Sequence, residues 1–314
     1  MEFDLIERIR QRCPAQRGDT LLGIGDDAAL LASRPRSQLV AATDTLVSGV
    51  HFLADDDPAD TGWKALAVNL SDLAAMGAEP AWALLNLTLP HADSDFVDQL
   101  IEGFAELAAQ HQVDLVGGDT TRGPLSITVT ALGWCGDGAL NRDRARAGDL
   151  IAVSGTIGDA GYAYTRPDAA DPQLRRRLCR PQPRLSLGRA LRGIAHAAID
   201  ISDGVLADLD HLLRPCRFGA ELDLAQLPTS AALAAQLADE EQRWQLQLSA
   251  GDDYELLFTV PADCQEPVMQ AAKDSATPVT IIGRVTESPE VRLLRPDGSL
   301  MSLKERGYVH FTTN

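Results

Sequence analysis

Aspartate stands beside glycine or a hydroxyl residue repeatedly along the chain: Asp26 and Asp27 in GIGDDA, Asp44 in TDT, Asp72 in NLSD, Asp119 in GGDTTRG, Asp200 and Asp203 in IDISDG, and Asp252 and Asp253 in GDDYE. A single Gly-Asp pair is an ordinary turn, because glycine supplies positive φ and Asp bonds its own backbone. Recurrence after apolar, strand-like runs asks for more. With the hydroxyls of Thr43, Ser71, Thr120 and Ser202, these carboxylates make a hard-oxygen donor set suited to Mg2+. Gathered together they repel one another and rise in pKa unless cations fill the site. The alternative is that they are turns and caps that never meet. In GGDTTRG, two glycines after the strand VDLV let backbone N–H groups approach a phosphate, with Asp119 as a metal ligand and Thr120 or Thr121 as a further donor. Arg122 and Arg142 are candidate bidentate clamps for phosphoryl oxygens, and a surface ion pair accounts for either equally well.

Charge and missing motifs narrow the chemistry. The 314 residues carry 45 acidic against 28 basic side chains, a formal net charge of −17, which disfavours nucleic acid as a partner. An anionic substrate would then need metal cations to neutralise it. GIGDDA fits G-x-G-x-x-A, but its carboxylates stand where a pyrophosphate would sit, and GTIGDAG lacks an acidic residue on a following strand, so a dinucleotide fold is disfavoured. A Walker A loop, the protein-kinase signatures, H-E-x-x-H and G-x-S-x-G are absent. Cys13, Cys135, Cys179, Cys216 and Cys264 are scattered without C-x-x-C, against a disulfide framework or a zinc site. The start MEFDLIERIRQRC lacks an apolar core segment, and no run is long enough to span a bilayer. A cytoplasmic protein without membrane contact is expected.

The elements that must position these groups are legible in outline. Strands are expected at 38–47, 81–89 and 125–135, with helices over 60–77 and about 95–112. The acidic stretches at 55–58 and 91–98 read as helix starts or loops. NRDRARAGD at 141–149 marks a boundary between domains of 1–140 and 141–314. The second half restarts with the strand DLIAVSG, then a glycine turn and helix. A strand at 197–202 feeds the helix DGVLADLDHLL, with Ser202 or Asp203 as its N-cap. Strands at 255–260 and 278–285 and a hairpin turning at Asp297-Gly298 complete it. Each half reads as an α+β unit.

Taken in order, GIGDDAAL, ATDTLVSGVHF, KALAVNLSDLAAMGAEP, GGDTTRGPLSITVTALG, AIDISDG, GDDYELLF and GYVHF resemble the thiamine-monophosphate kinases of the PurM-like (aminoimidazole ribonucleotide synthetase) superfamily. The resemblance runs from the N-terminus to the final residues. It implies a mixed α/β, two-domain PurM-like architecture, in which the N-terminal domain pairs its strands across a homodimer into a β-barrel and a C-terminal α/β domain closes the site. It also implies ATP-dependent phosphorylation of thiamine monophosphate to thiamine diphosphate with several Mg2+ ions. By motif, Asp27, Thr43, Asp44, Asp72, Asp119, Asp200 and Asp203 are expected to hold Mg2+. Gly118, Asp119, Arg142 and Ser202 are expected to contact ATP, and His51, Asp252 and Tyr308 to line the thiamine phosphate site. Ala42 departs from the serine usual before Thr43-Asp44, and Asp252 from the glutamate of GGEDYE, one methylene shorter. No general base is implied, because a phosphate monoester is mostly dianionic at neutral pH. The rivals are another ATP-using member of the superfamily and a non-catalytic protein that binds thiamine phosphate or Mg2+.

Overall fold

The computed structural model describes residues 2–136, 138–167, 169–303 and 307–308. The chain forms two compact units, Met1–Leu73 with Ala78–Asp137, and Ala74–Gly77 with Gly138–Asn314.

The first unit runs α1 (Glu2–Arg12), β1 (Thr20–Leu22), β2 (Leu30–Leu31), β3 (Gln38–Val47), α2 (Pro58–Ala75), β4 (Glu79–Leu89), α3 (Ser94–His111), β5 (Asp114–Arg122) and β6 (Ser126–Cys135). Among the described residues its main sheet has the order β3-β6-β4-β5, with β4 and β5 parallel across α3 and the other pairs antiparallel. Strand β6 shows why one face is covered: Ile127, Val129 and Ala131 are buried, while the alternating Ser126, Thr128 and Thr130 are half-buried, the period of two that a pleated strand imposes. Helix α2 is buried nearly all round through Trp63, Leu66, Ala67, Leu70 and Leu73. It begins at Pro58, before the expected residue 60, because proline suits a first helical position and Asp57 accepts from Ala59 N–H at 2.8 Å. Asp93 caps α3 by accepting from Asp95 and Phe96 N–H, so two of the acidic stretches are helix starts.

Strand β5 corrects the reading of GGDTTRG. Gly117 and Gly118 lie inside the strand, paired with Leu84 and Leu85, rather than in a turn after it. Gly118 has φ +148, and a Cβ there would overlap the Leu85 carbonyl. Close packing of β4 therefore demands this glycine independently of any ligand.

The second unit runs β7 (Leu150–Ser154), α4 (Asp159–Thr165), α5 (Pro172–Cys179), α6 (Leu185–Ala190), β8 (Ala197–Asp200), α7 (Val205–Leu213), β9 (Gly219–Asp223), α8 (Ala231–Gln236), α9 (Glu240–Ser249), β10 (Leu256–Val260), α10 (Gln265–Asp274), β11 (Val279–Thr286), β12 (Val291–Leu294) and β13 (Leu300–Met301). Among the described residues these strands form one sheet, β13-β12-β9-β11-β7-β10-β8, antiparallel except between β9 and β12. The central β7 and β10 are nearly continuous apolar runs, IAV and LLFTV, as strands buried on both faces require. The β12–β13 hairpin turns at Asp297-Gly298, where Asp297 accepts from Ser299 N–H and Gly298 takes φ +82.

The expected N-cap of α7 is overturned. The capping position is Gly204, with no side-chain cap, and Ser202 and Asp203 lie before it. Asp208, inside the first turns of the helix, reaches back to accept their amides. A buried carboxylate thus displaces the local cap that Ser or Asp would make.

In the first unit, α2 and α3 cross at two glycines: a Cβ on Gly62 would overlap the Leu100 carbonyl, and one on Gly103 the Ala59 carbonyl. Helix propensity alone favours alanine over glycine by about 1 kcal/mol, whereas overpacking costs about 1–3 kcal/mol. Gly103→Ala is expected to destabilise the protein, read as a lower urea midpoint with an unchanged slope; a raised midpoint would show that the helices do not approach this closely.

Candidate active site

In the first unit, Asp44 and Asp72 come together. Asp44 lies on β3 and Asp72 near the end of α2, and their carboxyls are hydrogen-bonded to each other with His51 nearby. Asp44 as a whole is exposed, yet its carboxyl has lost enough water to raise its pKa, against the opposing effects of Asp72 and His51. Two hydrogen-bonded carboxyls hold one proton between them or exchange it for a cation. This all-oxygen pair fits a hard divalent ion. Among the described residues no three His, Cys, Asp or Glu side chains converge to cage a metal. Mg2+ does not need such a cage, since it is commonly bound by one or two carboxylates with water and substrate phosphates.

The turn after β3 fixes His51. Val47 N–H donates to His51 Nδ1 at 3.0 Å, and buried Lys64 on α2 donates to the His51 carbonyl at 3.1 Å. Because Nδ1 is an acceptor, the neutral ring carries its proton on Nε2.

The other expected residues of this unit stand apart. Asp27 is exposed between β1 and β2, and its N–H donates to Asp26 Oδ1. Thr43 Oγ1 donates to the Val129 carbonyl and meets Thr130 Oγ1 across the β3–β6 pair. Asp119 is exposed on β5, where its carboxylate accepts from Thr120 N–H. Strands β3 and β5 are opposite edges of the sheet, three strand spacings or roughly 14 Å apart. Register also puts Asp44 in line with Val129 and Leu85, and Asp119 in line with Asn86 and Thr128 on the other face. Within this unit Asp119 therefore does not reach Asp44.

In the second unit, Asp200, Ser202, Asp203, Asp252 and Tyr308 gather at the end of β8. Asp200 ends the strand and is buried, Ser202 is exposed and Asp203 half-buried. Asp252 N–H donates to the Ser202 carbonyl at 2.9 Å, and Tyr308 N–H to the Asp203 carbonyl at 3.0 Å. Tyr254 OH donates to Asp252 Oδ1 at 2.9 Å, which orients that carboxylate. Asp252 and Tyr254 take φ of +67 and +50; the left-handed region is readily visited by aspartate but strained for tyrosine. Arg142 is exposed in a turn.

The strained loop is anchored by charges that sequence reasoning missed. Fully buried Glu255 receives Arg177 at 2.7 Å, both Arg184 donors and the Ser154 hydroxyl. Burial acts to raise its pKa, and the two arginines with Ser154 overcome this and lower it. Buried Asp253 accepts from Gly158 N–H at 2.7 Å through Oδ2, while its Oδ1 has no partner. Burial, with Asp159 and Glu255, pushes Asp253 up to about 8 against the Gly158 amide and Arg177. Burial and the charges of Asp200 and Asp203 likewise push Asp208 up to about 8, against its backbone hydrogen bonds. The available signal was a charged residue inside an apolar stripe, such as Asp208 among Val205, Leu209 and Leu212.

Comparison with known proteins gives this fold and site a class. The AIR synthase related protein N-terminal domain matches residues 25–135 and the corresponding C-terminal domain residues 146–295, defining two PurM-like domains. The chain is 46% identical over 322 residues to thiamine-monophosphate kinase of Escherichia coli (strain K12), covering 99% of this chain and 98% of the relative. The crystal structure of thiamine-monophosphate kinase from Stenotrophomonas maltophilia K279a shares 48% identity and a TM-score of 0.86, over 96% of this chain and 98% of that one. AaThiL complexed with AMPPCP and TMP shares 32% identity and a TM-score of 0.78, over 99% and 97%. The chain belongs to the thiamine-monophosphate kinase family.

Asp253 makes stability depend on pH. Its folded pKa, about 8, lies above the ordinary 3.8, so the native state holds a proton that the unfolded chain releases between those values. Its contribution is complete below the lower value and lost as pH rises through the upper one, by at most about 1.4 kcal/mol per pH unit. In urea unfolding, wild type is expected to lose stability relative to Asp253→Asn between about pH 5 and pH 8. A constant difference would mean that Asp253 is ionised in the fold.

Proposed function

We propose that this chain transfers the γ-phosphoryl group of ATP directly to the phosphate of thiamine monophosphate, giving thiamine diphosphate and ADP. The observation that carries the reading is the junction in the second unit, where Ser202 and Asp203, expected on the nucleotide and metal side, hydrogen-bond through their carbonyls to Asp252 and Tyr308, expected on the acceptor side. The full-length relationship to thiamine-monophosphate kinases and the AaThiL complex with AMPPCP and TMP support the same reading.

In this mechanism Asp44 and Asp72 would hold Mg2+ in the N-terminal domain, with Thr43, Asp27 and Asp119 as the further donors expected there, and Asp200 and Asp203 would hold it in the C-terminal domain. Bound there, Mg2+ neutralises the phosphate oxygens and spreads the charge of a loose transition state. Gly118, Asp119, Arg142 and Ser202 contact ATP. His51, Asp252 and Tyr308 line the acceptor site. No residue has to remove a proton, because the acceptor phosphate, with a second pKa near 6, is already a nucleophilic dianion. Positioning the two anions in line is then the protein's main task.

The proposal includes a homodimer formed by the N-terminal domains. Asp44 and Asp119 occupy opposite sheet edges, and β3 is a ten-residue edge strand with Leu39 exposed, a template for pairing with another chain. On one face of the sheet Leu84 and Leu132 are only partly covered, packed beside buried Trp82 and Trp134. Pairing β3 with β5 of a second copy would bring Asp44 of one protomer toward Asp119 of the partner subunit. A cytoplasmic location belongs to the same proposal; among the described residues no helix is long and apolar enough to cross a membrane.

With ATP and Mg2+, the protein is expected to form ADP and thiamine diphosphate from thiamine monophosphate, and to turn over thiamine poorly because a hydroxyl acceptor needs a base. Absence of thiamine diphosphate in that assay would refute the assignment. Asp44→Asn and Asp119→Asn are each expected to abolish turnover with the fold intact by circular dichroism. Unfolded and refolded together, the two variants are expected to recover about a quarter of wild-type activity, because half the random dimers carry one native site of two. Failure to recover any would place both residues on one protomer's site.

A further inference from the structure

Three successive peptide groups connect Asp208 to the acceptor side of the site. The N–H groups of Ser202, Asp203 and Gly204 all donate to Asp208 Oδ2, each at 3.1 Å. The carbonyls of those same peptide groups belong to Ile201, Ser202 and Asp203. They accept from the N–H groups of Tyr254 at 2.9 Å, Asp252 at 2.9 Å and Tyr308 at 3.0 Å. A trans peptide group is planar, and its N–H and C=O point in opposite directions. Each of the three is therefore a rigid strut, gripped at one end by a single carboxylate oxygen and at the other by the backbone of the acceptor-side segments. Hydrogen bonds at the two ends of one amide also polarise each other.

We infer that Asp208 is a positioning residue for phosphoryl transfer, one that sets Ser202 and Asp203 against Asp252 and Tyr308 without touching either substrate. The inference rests on the roles proposed above for those four residues. A serine or aspartate cap at position 202 or 203 satisfies one or two amides from its own turn, whereas the Asp208 oxygen takes all three and holds them in one concave nest. Asp208 interrupts the buried face of α7: it is 1% exposed, and its neighbours along the helix, Val205, Leu206, Leu209 and Leu212, are all buried apolar residues. The stitching reaches both expected acceptor contacts by different routes. Asp252 and Tyr254 lie on the loop before β10, and Tyr308 follows β13 by several residues. Loss of the carboxylate would let these segments shift together relative to the nucleotide side, and a misplacement near 1 Å costs about a hundredfold in rate.

The test is amide hydrogen exchange on the full-length protein, with steady-state kinetics alongside. Asp208→Leu keeps the size and branching of the side chain and removes the acceptor oxygen. In this variant without ligands, the amides of Asp252, Tyr254 and Tyr308 are expected to exchange about tenfold faster, with those of Val153 and Phe258 in the central strands unchanged, and kcat is expected to fall about a hundredfold with a smaller change in KM for ATP. Unchanged exchange at the three amides, an unchanged kcat, or equal acceleration in the central strands would overturn the positioning role. If the variant does not fold, wild type decides: adding AMPPCP and Mg2+ without thiamine monophosphate is expected to slow exchange at the three amides about tenfold, and no slowing there overturns the inference. Failure of wild type to make thiamine diphosphate would refute the proposed reaction instead, while amide exchange in Asp208→Leu would still decide separately whether the struts depend on the Asp208 oxygen.

Discussion

Crowded negative charge is the constraint around which this protein is arranged. A chain already at −17 presses Asp44 against Asp72 and gathers Asp200, Asp203 and Asp208 within electrostatic reach of one another. Such groups repel, and burial raises the cost of ionising them. Protons relieve that cost in the free protein. A divalent cation relieves it with the carboxylates ionised, and brings the positive charge an acidic protein otherwise lacks for anionic substrates. The proposed role of these aspartates as Mg2+ ligands would turn the same repulsion into a means of drawing in a cation with phosphate.

The two units meet this constraint differently. In the first, the carboxyl pair stands on an edge strand and a helix end, positioned by the packing of α2 over the sheet and by the tight turn that also fixes the His51 tautomer. Asp119 belongs to the far edge, so sheet order by itself divides the expected metal ligands of a protomer between two edges. In the second, the functional turn between β8 and α7 has no side-chain cap of its own. It is held from below by Asp208 and from the side by the strained loop at Asp252 to Tyr254, which is anchored in turn by Glu255 with its two arginines. A buried carboxylate with two guanidinium partners costs desolvation on all three groups. Here that cost secures a non-glycine left-handed backbone at Asp252 and Tyr254, where the proposed acceptor-side residue must be aimed.

Much of the fold was legible in the residues because it depends on near neighbours in the chain. Alternation in SITVTALGWC, the proline and aspartate before α2, and Asp297-Gly298 in the last hairpin act over a few positions, so their consequences appear locally. The carboxylate motifs were legible for the same reason, since glycine and hydroxyl neighbours mark them. Boundaries shifted by a residue or two at helix ends, as at Pro58 and Ala75 of α2, and at strand ends: the strand expected at 81–89 begins at Glu79 and the one expected at 197–202 stops at Asp200.

Which of those motifs meet is a matter of packing. Residue types alone show that oxygen donors recur after strands and that the common nucleophile and metal-protease motifs are missing. They carry no information on the helix packing that brings Asp72 to Asp44, or on the sheet order that separates Asp44 from Asp119. They also suggest the wrong cap for α7, because the preference for serine or aspartate is a contest among adjacent groups, and the winning acceptor, Asp208, arrives from a later position with a buried face of leucines fixing its direction. Gly118 shows the same division: its identity was visible, but its necessity comes from the Leu85 carbonyl on a neighbouring strand. Long-range contacts of this kind are chosen by packing of the whole unit, and local propensity has no term for them.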